Sequence, residues 1–348
     1  MTIFNPDDPG IANGNYFGLP YNIGDAEIAL IPIPWDVTTS YRAGTHKGPM
    51  AMIDASLQID LFDSIVPKAW EVKIGTVAID PTIEKKNRAA RKYAEKVISH
   101  LEKGDDIEKI TAILTKVNRA SEELNGTVYA LCKEQIDMGR ITGIVGGDHS
   151  VPFGNIKAVS EKLEDFGILH IDAHADLRNA YEGFKYSHAS IMYNTLKDIA
   201  QVSQLTQVAI RDLSQGEANL IDSDPRIRCF TDYEIRKNIF EGKTWRQQCE
   251  DIVATLPKNV YISFDIDGLS PELCPNTGTP VPGGLSFREA DYLLYLLATS
   301  NRRIVGFDLC EVSPSATDEW DANVGARMLF KLALYTKLNS NKNNNNKE

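Results

Sequence analysis

The sequence predicts an α/β fold, a parallel β-sheet with helices on both faces. Two observations predict it: short apolar runs of five or six residues recur along the chain, and helical stretches separate them. Strands apolar on both sides need cover on both sides, which a parallel sheet with crossover helices provides. A third observation bears on domain number. The length of 348 residues allows about two domains, but no Pro/Ser-rich linker or repeat interrupts the interior, so one large domain is expected.

The elements follow in order. Residues 1–25 read as an N-terminal arm, and residues 26–34 (AEIALIPIP) as a strand closed by proline. After a polar loop, Gly48 and Pro49 open a helix expected to reach residue 62, proline being suited to a first helical turn. Residues 74–80 read as a second strand. Ala90, Tyr93, Ala94, Val97, Ile98 and Leu101 keep the spacing of an amphipathic helix over 88–101, and a second helical stretch covers 108–139, with a break expected near Asn125 and Gly126. Four stronger strands follow at 141–145, 167–171, 260–264 and 304–309, with weaker ones at 207–210 and 226–230. The Asn-rich residues 339–348 read as a disordered tail beyond a domain spanning 26–338.

Composition narrows the function classes. Hydrophobic residues make up 43% and charged residues 24%, enough apolar material for a core and too balanced for a disordered chain. A formal charge of −11, from 37 basic and 48 acidic residues, argues against nucleic-acid or anionic-membrane partners. No apolar run is long enough to span a membrane, and residues 1–10 lack a signal-peptide pattern. Five cysteines without a CxxC pair give no disulfide framework, so a reduced cytoplasmic setting is expected.

Each strong strand ends in polar residues of one type. Gly146-Gly147-Asp148-His149-Ser150 follows the first, Asp172-Ala173-His174-Ala175-Asp176 the second, Asp265-Ile266-Asp267-Gly268 the third, and Cys310-Glu311 the fourth. Ligands bind beyond the carboxyl ends of parallel strands, so these groups are expected in one crevice. Residues two apart on extended backbone share a face, which directs Asp172, His174 and Asp176, and likewise Asp265 and Asp267, at common centres. The glycine pair is read as a sharp turn. Singly, each motif is an ordinary loop or helix cap. Together, four aspartates and two imidazoles require compensating positive charge, and six donors exceed one tetrahedral zinc and suit two metals sharing ligands. Oxygen-rich ligation with some imidazole fits Mn²⁺, ahead of Ni, Co, Fe or Zn. Asp148 is expected to orient a ligand, His170 to be a hydrogen-bonded core residue, and His46 and His100 to lie in loops or on the surface.

The three motifs, with Ser263-Phe264-Asp265-Ile266-Asp267-Gly268-Leu269-Ser270-Pro271 as the last, resemble the signatures of the ureohydrolases over about residues 26–335. That family includes arginases, agmatinases, guanidinobutyrases and formimidoylglutamases. The resemblance implies a single three-layer α/β/α domain with a mostly parallel sheet of about eight strands, a dimanganese centre, and a homo-oligomer, trimer or hexamer. Carried over by position, one metal takes His149, Asp172, Asp176 and Asp265, and the other takes Asp172, His174, Asp265 and Asp267. Glu311 matches the carboxylate that holds a guanidinium. His188, in Tyr186-Ser187-His188-Ala189-Ser190, matches a proton shuttle, although many members have Gly-Thr where this chain has Ala189-Ser190. Asp267 is a second candidate for proton transfer to the leaving amine.

The expected substrate is a small guanidino or formimino compound, and the segment from Pro34 to Pro49 resembles the agmatinase branch. A cationic tail calls for acids, with Asp36, Glu182, Glu319 and Asp321 as candidates, and an anionic tail for Arg42, Arg178 or Lys185. Agmatine is the leading expectation, with arginase, guanidinobutyrase, guanidine hydrolase and formimidoylglutamase activities as alternatives. Outside the class stand a mononuclear-zinc deacetylase-like hydrolase and an inactive binding relative.

Overall fold

A computed structural model describes residues 4–345, with side chains to 342. The chain forms, in order, β1 (Ile28–Ile33), α1 (Gly48–Ser56), β2 (Ile74–Thr76), α2 (Pro81–Glu102), α3 (Thr111–Asp137), β3 (Ile141–Gly146), α4 (Phe153–Ser160), β4 (Phe166–Ile171) and α5 (Ile191–Asp198). It continues with β5 (Val202–Ile210), α6 (Gln215–Ser223), β6 (Ile227–Thr231), α7 (Asp232–Phe240), α8 (Trp245–Thr255), β7 (Asn259–Asp265), α9 (Phe287–Thr299), β8 (Arg303–Cys310) and α10 (Trp320–Asn345). The eight strands form one sheet in the order β2-β1-β3-β8-β7-β4-β5-β6, and every pairing is parallel.

Strand side chains alternate between two apolar layers, as a period of two requires. Leu169 and Ile171 of β4 and Val260, Ile262 and Phe264 of β7 pack with α8, α9 and α10, whereas Phe166, Ile168 and Tyr261 pack with α4 and α5. Ile31 and Ile33 of β1 pack with α2 and α3. The result is the three-layer α/β/α domain the sequence implied.

Besides β2, which ends at Thr76 rather than residue 80, the structure departs from expectation in four places. α1 stops at Ser56 rather than residue 62, because the Ser56 hydroxyl accepts the N–H of Phe17 at 2.7 Å and the N-terminal arm docks there. Phe17 then packs on Phe330 of α10, ring centroids 4.8 Å apart. α3 runs unbroken through Asn125 and Gly126. A helical glycine costs about 1 kcal/mol, and burial of Val117, Leu124, Val128 and Cys132 offsets it. The glycine pair at 146–147 serves close packing, since neither has a positive φ and a Cβ on Gly147 would lie 1.8 Å from the Trp35 carbonyl oxygen. Finally, the tail expected from residue 339 continues α10 to Asn345; residues 346–348 lie outside the described residues. Asn339 is fully buried, its amide donating to the Ala298 and Arg302 carbonyls while its oxygen accepts the Ile304 N–H.

Candidate active site

The four motif-bearing strands β3, β8, β7 and β4 are consecutive neighbours at the middle of the sheet. Their carboxyl ends therefore open side by side, and the polar residues that follow them meet. His149 Nδ1 lies 3.0 Å from Asp172 Oδ2, 3.1 Å from Asp176 Oδ2 and 3.4 Å from Asp265 Oδ2. His174 Nδ1 lies 3.2 Å from Asp267 Oδ2 and 3.5 Å from Asp172 Oδ1. Two half-sites result, one around each imidazole, and Asp172 turns one oxygen to each. Asp265 Oδ2 faces the His149 half while its Oδ1 accepts the Asp267 N–H at 2.8 Å.

The charge balance of this cluster is unfavourable by itself. Burial and the charge of Asp172 push the Asp176 carboxyl up to about 6. Burial with Asp267 and Asp172 holds Asp265 well above the usual range. Burial opposes charge on His149, yet Asp172, Asp176 and Asp265 still raise its pKa well above the ordinary value. A buried centre that draws positive charge this strongly, built from carboxylate oxygens and imidazole nitrogens, fits divalent cations. Donor atoms of Asp172, His174 and Asp267 lie within 4.8 Å of one another, as do those of His149, His170, Asp172 and Asp176.

Supporting contacts fix the donors. His149 Nε2 lies 2.9 Å from the Ser263 hydroxyl, which donates to Asp308 Oδ1 at 3.1 Å. His170 is buried as expected, with its role now specific. Gln207 donates to its Nδ1 at 2.9 Å, which leaves Nε2–H to donate to Asp172 Oδ2 at 2.8 Å. Asp148 departs from expectation and touches none of the six donors. It binds Ser150 and the backbone N–H and hydroxyl of Thr38. His188 is held there too, its N–H donating to Thr38 Oγ1 at 3.1 Å.

Glu311 is almost fully buried beside His149. Its φ of 64° is the left-handed region, a strain of order 1–3 kcal/mol for a residue with a side chain. One carboxylate oxygen accepts the His149 N–H at 3.0 Å, and Oε2 has no hydrogen-bond partner among the described residues. A Cβ on Gly278 would stand 3.2 Å from that oxygen, so glycine keeps the space beside it open. Burial and the charge of Asp148 keep the Glu311 carboxyl well above its usual range.

A cleft of about 150 Å³ opens onto His174, Asp176 and His188. Asp212 and Glu217 line it, and so does Arg178, which lies 3.4 Å from Glu217 and stacks on Tyr181 at 4.6 Å. Most residues expected to read the substrate tail are occupied elsewhere. Asp36 is buried and bound by His46 and Asn87, and Asp321 is bound by Asn276. Arg42 binds the Pro275 carbonyl, while Glu319 and Lys185 are exposed. Sequence reading missed Asp212 and Glu217; the signal for Glu217 was the Ser214-x-x-Glu217 capping box, whose carboxylate also accepts the Leu177 N–H.

The fold and the imidazole–carboxylate centre define a hydrolase of the ureohydrolase class, enzymes acting on guanidino C–N bonds. The profile of the arginase family matches residues 26–335, and the chain belongs to that family. It is 32% identical over 315 residues to N(1)-aminopropylagmatine ureohydrolase of Thermus thermophilus, covering 90% of this chain and 91% of the relative. It is 28% identical to the agmatinase of Pyrococcus horikoshii, covering 89% and 92%. In fold it matches the agmatine ureohydrolase of Thermoplasma volcanium with a TM-score of 0.70 at 21% identity, over 98% and 97% of the two chains. The family is generally dependent on a binuclear metal centre. Among the described residues no helix is long and apolar enough to cross a membrane.

Proposed function

We propose that the chain hydrolyses a guanidino compound with a cationic tail, agmatine first, to urea and putrescine, with two Mn²⁺ held by His149, Asp172, Asp176, Asp265, His174 and Asp267. The observation that supports the tail preference is the cleft lining, which includes Asp212 and Glu217 and in which the one guanidinium, Arg178, lies 3.4 Å from Glu217. An anionic formiminoglutamate tail would meet Asp212 there and find the guanidinium engaged. The likeness to an aminopropylagmatine ureohydrolase makes the longer aminopropyl derivative of agmatine the second substrate to try.

What a cation pair supplies when bound is nucleophilic water at neutral pH. The chain does the rest. The open Oε2 of Glu311 accepts guanidinium N–H bonds and holds the carbon facing the cluster. His188 lines the cleft beside His174 and Asp176, the place from which an imidazole can take a proton and return it to the leaving amine; burial and the charge of His174 lower its pKa to about 3, so it rests neutral. Asp267 is the second candidate for that transfer. Its Oδ1 accepts the Ala173 N–H and its Oδ2 faces His174, which occupies it more fully than His188.

The test is urea release from agmatine, N1-aminopropylagmatine, arginine, guanidinobutyrate and guanidine by manganese- or nickel-loaded protein, with formamide release from formiminoglutamate alongside. Urea from agmatine or its aminopropyl derivative, in preference to arginine, is expected. Formamide release without urea from any guanidino compound overturns the reading. We extend the proposal to a homo-oligomeric trimer or hexamer, which a mass measurement in solution tests.

A further inference from the structure

His188 sits where two loops meet, and each loop is braced from the α2–α3 hairpin. On one side, Asn87 accepts the Asp36 N–H at 2.8 Å, and Arg91 Nη1 donates to the carbonyls of Val37 (3.1 Å) and Thr39 (2.5 Å). On the other, Asn118 donates to the Gly183 carbonyl at 3.1 Å and accepts the Lys185 N–H at 2.8 Å. The loops join at Thr38. Its hydroxyl donates to Asp148 Oδ2 at 3.3 Å, accepts the His188 N–H at 3.1 Å, and lies 3.5 Å from His188 Nδ1. Thr38 is fully buried and so is Asp148, whose other oxygen is held by Ser150. The hydroxyl has one proton, and it donates that proton to Asp148. Its lone pairs are thereby left for His188. A methyl group in the same volume would offer no acceptor and leave the half-buried His188 N–H without its partner.

We propose that Thr38 is a positioning residue that fixes the backbone and ring of His188 above the imidazole–carboxylate cluster, and that the α2–α3 hairpin acts on the reaction by holding the Thr38 loop. This inference rests on the reading that His188 moves protons during guanidine hydrolysis. The hairpin, which the sequence left without a role, thus becomes part of the support of the cleft.

The test uses the full chain loaded with manganese, and whichever guanidino compound the parent turns over. Thr38→Val keeps the volume and removes the hydroxyl, Thr38→Ala removes it without adding a methyl, and Thr38→Ser restores it. About a tenfold loss of kcat in both Val and Ala variants is expected, with KM within about twofold and metal content unchanged. Thr38→Ser should return most of the lost rate. Parental kcat in Thr38→Ala overturns the proposal, as does a loss in Thr38→Ser equal to that in Thr38→Ala. If Thr38→Val fails to fold, the Ala and Ser pair still decides. A parent chain that releases no urea is failure of the ureohydrolase reading instead, visible before any variant is made.

Discussion

The Ser263 hydroxyl lies 2.9 Å from Nε2 of His149 and donates its own hydrogen bond to Asp308. It therefore accepts from Nε2–H, so that whenever the imidazole is neutral Nδ1 is the bare nitrogen facing Asp172, Asp176 and Asp265. Ser263 and Asp308 are paired across β7 and β8, so the sheet register itself sets the orientation of this donor.

Removing that support should weaken metal binding before it weakens anything else. Ser263→Ala is expected to lower manganese affinity by about 10- to 100-fold. Isothermal titration of the metal-free protein checks it. Unchanged affinity would show that the tautomer is set elsewhere.

Glu311→Gln should separate substrate positioning from metal binding. The change keeps the shape and an acceptor for the His149 N–H but removes the charge opposite the guanidinium. A fall in kcat/KM of about 100-fold or more is expected, with metal content by atomic emission unchanged.

The Asp36 carboxyl, which is outside the cluster of six donors, gives a pH signature of its own. Burial alone would raise its pKa, but hydrogen bonds from His46, Asn87 and Gly44 lower it from 3.8 to about 2. A depressed carboxylate contributes stability that is complete above its unfolded pKa and lost as pH falls through the folded one. Asp36→Asn should thus cost on the order of 2 kcal/mol at pH 7. Thermal melts should show the gap from the parent closing as pH drops from about 4 to about 2.

Asn339→Ala should cost about 2 kcal/mol, because buried bonds to Ala298 and Ile304 and a part-buried one to Arg302 are lost. A neutral result in thermal melts would mean that the end of α10 adds nothing to the fold.

How much of this was legible in the sequence depends on the type of signal. The four central strands announced themselves because buried parallel strands are apolar throughout, and their order brought the motif residues together. The six clustered donors were legible for a related reason, since each lies at the carboxyl end of its strand or within five residues after it. Contacts made across the sheet were not legible. Nothing in linear order places Ser263 and Asp308 beside His149, Gln207 beside His170, or Thr38 beside His188. The loop charges failed for the same reason: Asp36 and Asp321 resemble solvated acids in sequence and are buried and paired in the fold. The Asn-rich end misled through composition. Asn339 is a polar residue of a low-complexity stretch, yet its amide is the partner three backbone groups need.

The most direct test of a two-cation ureohydrolase is a titration of metal-free protein with manganese, read as urea released from agmatine. The rate is predicted to climb and level off at about two equivalents per chain, as two half-sites sharing Asp172 require. A plateau at one equivalent, or no urea at any ratio, would contradict the account.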